Sequence, residues 1–249
     1  MKHTSQAKLI VGVMKYQEIG GIKYHIKGHS PQLVIHSGTH GDEFHVIEPL
    51  RKVVEKMYDE LPDFLYVPEV SPSAVKLGTR ENNLGHDMNR VFWGANFDPE
   101  VIANKQILAA ASHAVALTFH EDLENNAFYI YDSETLSEEL LEGIRQRIRA
   151  LDLTLYDGFD DFEDEQLQYV FKDGYACVKQ GDHYKGPFVD DWAMYHSHVE
   201  RMLTIEMPFE KQGVEEAIEA CLRLGAKLVQ ERQEHLISEL PSLQHSLNK

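Results

Sequence analysis

Short apolar runs alternate along the chain with longer stretches in which apolar residues recur every three or four positions. The first rhythm suits strands and the second suits amphipathic helices. Residues 8–15 and 22–26 read as an opening antiparallel pair turned at Gly20-Gly21. Residues 32–36, 64–70, 114–119 and 201–206 read as further strands, apolar nearly throughout, as strands covered on both faces are. Between them, residues 43–58 place Val46, Ile47, Leu50, Val53, Val54 and Met57 along one side of a helix. Residues 99–112 read as a helix opened by Asp98-Pro99, and residues 133–150 as another. A long last helix over residues 211–236 turns Val214, Ala217, Ile218, Cys221, Leu222, Leu228 and Val229 inward. Residues 150–200 are more irregular, and residues 241–249 read as a frayed tail. No repeat or low-complexity linker interrupts this order, so residues 1–240 are expected to form a single α/β layered domain with a largely buried sheet. Ligands in such sheets sit beyond the carboxyl ends of the strands, where residues 36–40 and His120 fall.

Composition narrows the class. Of 249 residues, 43% are hydrophobic and 26% charged, which excludes a disordered polymer. No apolar run approaches the ~20 residues of a membrane span. Met1 to Lys8 lack the apolar core of a secretory signal, and the expected location is the cytoplasm. Only Cys177 and Cys221 are present, so no disulfide framework is expected. The 41 acids against 24 Lys and Arg give a net charge of -17, which repels nucleic acids and anionic membranes alike. The densest acidic run, Asp157, Asp160, Asp161, Glu163, Asp164 and Glu165, lacks the spacing of a calcium loop and reads as solvated.

Candidate chemistry concentrates at the strand ends. In Ser37-Gly38-Thr39-His40-Gly41-Asp42-Glu43, a histidine and a glutamate three residues apart reach one cation if the turn between them is tight, and Gly38 and Gly41 permit that turn. The alternative is a helix start in which Asp42 and Glu43 favour the dipole. His45 and Glu48 repeat the spacing inside the helix and read as a surface pair. A hydrolytic zinc site with an open position needs a third donor, and His120 stands at the polar end of its strand, either to supply one or as a satisfied strand-end histidine. The segment from Gly78 to Arg90 carries Arg80 and Arg90 in a strongly acidic protein, suited to gripping a carboxylate or stabilising an oxyanion, or else merely to pairing with surface acids. Glu206 ends the last strand, either as a base poised towards metal-activated water or as an edge charge facing solvent.

Taken in order, these segments resemble the zinc metallocarboxypeptidases (carboxypeptidase A-like), including their compact bacterial members. His40-Gly41-Asp42-Glu43 is similar to that family's first ligand pair, His120 to its third ligand, and Asp87-Met88-Asn89-Arg90 to its Asp-Leu-Asn-Arg signature. Arg80 stands at the place of its upstream arginine, and Thr204-Ile205-Glu206 resembles its catalytic segment. The resemblance implies a three-layer α/β/α fold with a mixed, mostly parallel twisted sheet, and one zinc ion held by His40, Glu43 and His120. It further implies Glu206 as general base, Arg80 stabilising the oxyanion, and Asn89 and Arg90 holding a terminal carboxylate. Tyr184 is the expected closing tyrosine, with Tyr195 a competitor, and Asp190 would favour a basic side chain unless it is simply solvated. The implied substrate is a peptide with a free C-terminus. The succinylglutamate desuccinylase/aspartoacylase branch shares this residue set and implies an N-acyl amino acid instead. A metal-free binding protein on the same fold would have lost a ligand or the base, and none is missing.

Overall fold

The computed structural model describes residues 14–93, 97–160, 169–178, 189–209 and 211–246. Strands β1 (Gln17–Ile19) and β2 (Ile22–Ile26) form the opening hairpin, and β3 (Leu33–His36) leads through residues 37–43 and a single 3-10 turn (Phe44–Val46) into α1 (Ile47–Lys56). There follow β4 (Phe64–Val67), α2 (Pro72–Leu77), α3 (Pro99–Leu108), β5 (His113–Glu121), β6 (Tyr129–Asp132) and α4 (Glu138–Ala150). Short strands β7 (Gly158–Phe159), β8 (Val170–Phe171) and β9 (Tyr175–Cys177) precede α5 (Val189–Tyr195), β10 (Val199–Met207) and α6 (Val214–Ser246).

Eight strands form one mixed sheet in the order β1-β2-β4-β3-β5-β10-β6-β9, while β7 and β8 pair separately. Its middle, β4-β3-β5-β10, is parallel; β2 and β6 flank it antiparallel. Side chains on successive residues take opposite faces, and the packing follows that rule. Leu33, Ile35, Phe64, Tyr66, Leu117 and Phe119 pack with residues of α1, α4 and α6. Val34, Leu65, Val67 and Ala116 pack instead with residues of α3 and α5. Helices thus cover both faces, giving an α/β/α sandwich. All nine residues of β5 are buried, which makes it the central strand; full burial of each large apolar side chain contributes about 1.5–3 kcal/mol. No helix among the described residues is long and apolar enough to cross a membrane.

Several elements differ from the sequence expectation. The strand paired with β2 is Gln17–Ile19 rather than residues 8–15, because the Gly20-Gly21 turn pairs its immediate flanks, Ile19 with Ile22; residues 8–13 lie outside the described residues. The helix expected from residue 133 starts at Glu138, where the Ser137 side chain accepts from Leu140 N–H. Strand β9 and helix α5 arise in the segment read as irregular, and β6 in one to which no element was assigned. Helix α6 continues through Pro241 to Ser246. His45 and Glu48 do not pair with each other: Glu48 bridges to Arg51, and His45 turns to Glu121. In the acidic run, Asp157 and Asp160 make specific bonds to Asp173 N–H and the Tyr131 hydroxyl, and its remaining members lie outside the described residues.

Candidate metal centre

The parallel register brings the chemistry to one edge of the sheet. Glu206 pairs with His120 across β10 and β5, so both side chains project from the same face. β3 ends in register with Thr118, two residues short of His120, so the chain leaving His36 turns directly beside it. Gly38 makes that turn at φ +60, and Gly41 lies so close to α2 that a Cβ would fall 1.9 Å from the Ala74 carbonyl oxygen. Gly41 N–H also donates to Thr79 O at 2.9 Å, which docks the His40 turn against the chain leading into Arg80.

Three sequence-predicted ligands converge. His40 Nδ1 lies 2.5 Å from Glu43 Oε1, and His120 Nδ1 lies 2.7 Å from Glu43 Oε2. The ligand atoms of all three fall within 4.8 Å of one another, and the residues are only 2%, 8% and 3% exposed for His40, Glu43 and His120. Glu43 does not cap its own helix, since no side-chain cap bond forms at the start of the 3-10 turn. Its carboxylate points at the histidines instead.

Asp87 ties the second loop to this cluster. Its Oδ1 lies 3.1 Å from His40 Nε2 and accepts from Asn89 N–H at 2.7 Å, while Oδ2 accepts from Arg80 Nε at 2.9 Å. Arg80 thereby points a guanidinium nitrogen at Glu43 Oε1, 3.8 Å away, with nearly half its side chain open to solvent. Arg90 donates to Asn89 O, and Met88 between them is fully buried, anchoring the segment in the second core. Further out, Asn82 accepts from Leu84 and His86 N–H and donates to Asp98 Oδ2 at 2.6 Å, fastening the loop to the start of α3.

The electrostatics follow from packing ionisable groups together. Burial alone would lower the His40 pKa, but the Glu43 and Asp87 carboxylates outweigh it and hold the imidazole at about 9. Burial would raise Glu43, yet the two imidazoles hold it well below the usual carboxylate range. His120 is likewise raised by Glu43 against its own burial. For Glu206 burial prevails: it pushes the carboxyl up to about 8, against the pull of His120 and with help from Glu43, Asp122 and Asp160. The cluster therefore holds a proton where two imidazole Nδ1 atoms and a carboxylate face one another. A divalent ion fits the same atoms: the donors are those of a His₂Glu zinc set, and His40 keeps its outer nitrogen on a carboxylate, the usual support for a metal-bound histidine.

Other expected residues fare differently. Tyr184 lies outside the described residues, and of Asp190 only the backbone, in α5, is described. Tyr195 packs edge-on against Trp93 at 5.0 Å, just ahead of β10 and at the opposite end of that strand from Glu206. Asp87 and Glu121 were not singled out by residue chemistry. The signal for Asp87 was its place in Asp87-Met88-Asn89-Arg90; Glu121 gave none beyond following His120.

Comparison with known proteins sharpens the picture. Residues 29–133 match the family model of the succinylglutamate desuccinylase/aspartoacylase catalytic domain. No curated protein matches the chain by sequence. Among solved structures, a candidate metallopeptidase from Shewanella baltica OS155 superposes with a TM-score of 0.64 at 19% identity, covering 88% of this chain and 86% of that one. The murein-tripeptide amidase MpaA from Escherichia coli O157 gives 0.54 at 18% identity, over 90% and 96% of the two chains. A metallo-carboxypeptidase from Burkholderia cenocepacia gives 0.53 at 18%, over 85% of this chain and 61% of that one. The chain is therefore similar to the succinylglutamate desuccinylase/aspartoacylase catalytic domain over residues 29–133, and it shares its fold with these metallopeptidase, carboxypeptidase and amidase structures.

Proposed function

We propose that the protein is a zinc-dependent carboxypeptidase that hydrolyses the last amide bond of a peptide with a free C-terminus. The observation that carries this is the convergence of His40, Glu43 and His120 within 4.8 Å, with Glu206 beside His120 in register. His40 Nδ1, Glu43 and His120 Nδ1 would hold the metal, which when bound supplies Lewis-acid chemistry: it polarises a carbonyl and acidifies water. Glu206 takes the proton from the attacking water and returns it to the departing amine. Its carboxyl, held high without a metal, has to ionise for that role, and positive charge in the neighbouring cluster favours this. Arg80, steered by Asp87, presents its guanidinium to the oxygen on which charge develops. Asn89 and Arg90 bind the substrate carboxylate; Tyr184 and Asp190 are assigned the closing and side-chain-selecting roles on the resemblance alone. Two cysteines, both unpaired, suit a reducing compartment, and the enzyme is assigned to the cytoplasm.

A second reading is favoured by the family match over residues 29–133: an N-acyl amino acid amidohydrolase using the same ligands and base. Paired peptides identical except for a free or amidated C-terminus test the first reading. Cleavage of the free form with the amide spared by about tenfold or more supports it, since the amide leaves Arg90 with no carboxylate to bind. Equal rates on both forms, or hydrolysis of N-acyl amino acids alone, contradict it.

A further inference from the structure

We infer that Glu121 is a positioning residue for the metal centre, a brace that fixes the Glu43 ligand relative to His120. The inference rests on the zinc reading given above. Glu121 is the last residue of β5, immediately after His120, and only 4% of it is exposed. Burying a carboxylate is costly unless its oxygens are bonded, and no Lys or Arg ion pair to it is formed among the described residues. Its bonds run instead to the segment that carries Glu43. Oε2 accepts from His45 N–H at 2.9 Å, with His45 Nδ1 3.5 Å away.

That N–H belongs to the 3-10 turn Phe44–Val46, the first turn of the helical segment. Such groups have no partner within the helix and are ordinarily satisfied by a local side chain. Here no local side chain does so, either at Glu43 or at Val46. The cap comes from across the sheet, and this releases the Glu43 carboxylate to face the histidines. Glu121 adds a second tie, because its own N–H donates to Glu43 Oε2 at 3.3 Å, the oxygen that also meets His120. Backbone and side chain of one residue therefore lock both ends of the Glu43 segment to the strand that carries His120. Without the carboxylate, the His45 N–H would have to find another partner, and Glu43 would be drawn towards capping its own helix.

The test is zinc affinity, measured by competition with a chromophoric chelator on the metal-free protein, with thermal unfolding of each metal-free variant alongside. Supporting outcomes are a zinc dissociation constant raised about 10–100-fold in Glu121→Ala, as for other outer-shell supports, and recovery of most of that loss in Glu121→Gln, whose amide oxygen still accepts. Glu121→Asp keeps the charge but withdraws the carboxylate by one methylene, so it reads the same question should the alanine variant fail to fold; about tenfold weaker binding is expected. Parent-like affinity in the Ala or Asp variant overturns the inference, even if metal-free stability falls, because a purely structural cap would show that pattern. Failure of the parent to bind zinc is a separate result, which overturns the metal reading itself and this inference with it.

Discussion

Glu206 and His40 carry the sharpest consequences at the scale of single residues. A positioned general base contributes about 10²–10⁴-fold to rate, so Glu206→Gln is expected to lose at least about 100-fold in kcat while still binding one zinc, as read by metal analysis of the dialysed protein. The same substitution has a second signature without metal. The Glu206 carboxyl is raised from its ordinary value to about 8, so its contribution to stability is complete below the unfolded carboxyl range and is lost as pH rises through about 8. Glu206→Gln should therefore unfold at a higher temperature than the parent at pH 9 and at the same temperature near pH 4. His40, raised to about 9, has the same sign: its contribution is full below about pH 6.5 and fades as pH passes 9. Glu43 and Asp87, both lowered, keep theirs until strong acid. Thermal unfolding in the presence of a chelator is thus expected to weaken steadily from pH 6.5 to 9.5, and a flat profile would mean that this proton-sharing cluster is absent. The three proposed ligands and Glu206 were legible as residue types at strand ends, each ambiguous alone. Asp87 was legible only through its motif, and Glu121 was not legible at all, because its role depends on which strand lies beside which helix start.

At the scale of elements, the centre depends on two contacts between segments distant in sequence. One is the seat of the His40 turn on α2, where Gly41 leaves no room for a side chain. Gly41→Ala is expected to push the turn off α2, break the Gly41–Thr79 bond and abolish tight zinc binding, while the fold monitored by far-UV circular dichroism persists. The other is the start of α3. Asp98 accepts from Glu100 N–H at 2.8 Å as the helix cap and also holds Asn82 and His86. Asp98→Ala should cost about 1–2 kcal/mol for the cap, visible in urea unfolding, and should lower kcat/KM further by loosening the loop that presents Arg80. Long periodic segments were readable here: α1, α3 and the buried strands β3, β4, β5 and β10 stand where the hydrophobic rhythm put them to within a few residues, and α6 starts where expected but runs ten residues further. β6 escaped because four residues alternating between two buried faces have no distinctive period, and β9 and α5 because they are shorter than a reliable repeat.

Over the whole molecule, a parallel centre covered by helices on both faces gathers the carboxyl ends of β3, β5 and β10 along one edge, and every residue assigned to chemistry whose side chain is described issues from that edge or from the loop docked on it. The strong negative charge of the surface leaves Arg80 as a local exception beside the cluster, with Arg90 further along the same loop, which suits a substrate that brings a carboxylate to that side. The most direct test of this account is mass spectrometry of the products formed when zinc-loaded protein and its Glu206→Gln variant are each incubated with one pool. That pool contains peptides with free and amidated C-termini together with N-acetyl and N-succinyl amino acids. The account predicts that the parent releases single C-terminal residues from the free-carboxylate peptides and that the variant releases almost none. Products confined to the acyl amino acids would move the protein to the deacylase reading; turnover undiminished in the variant would contradict the assignment of Glu206 and, with it, the mechanism.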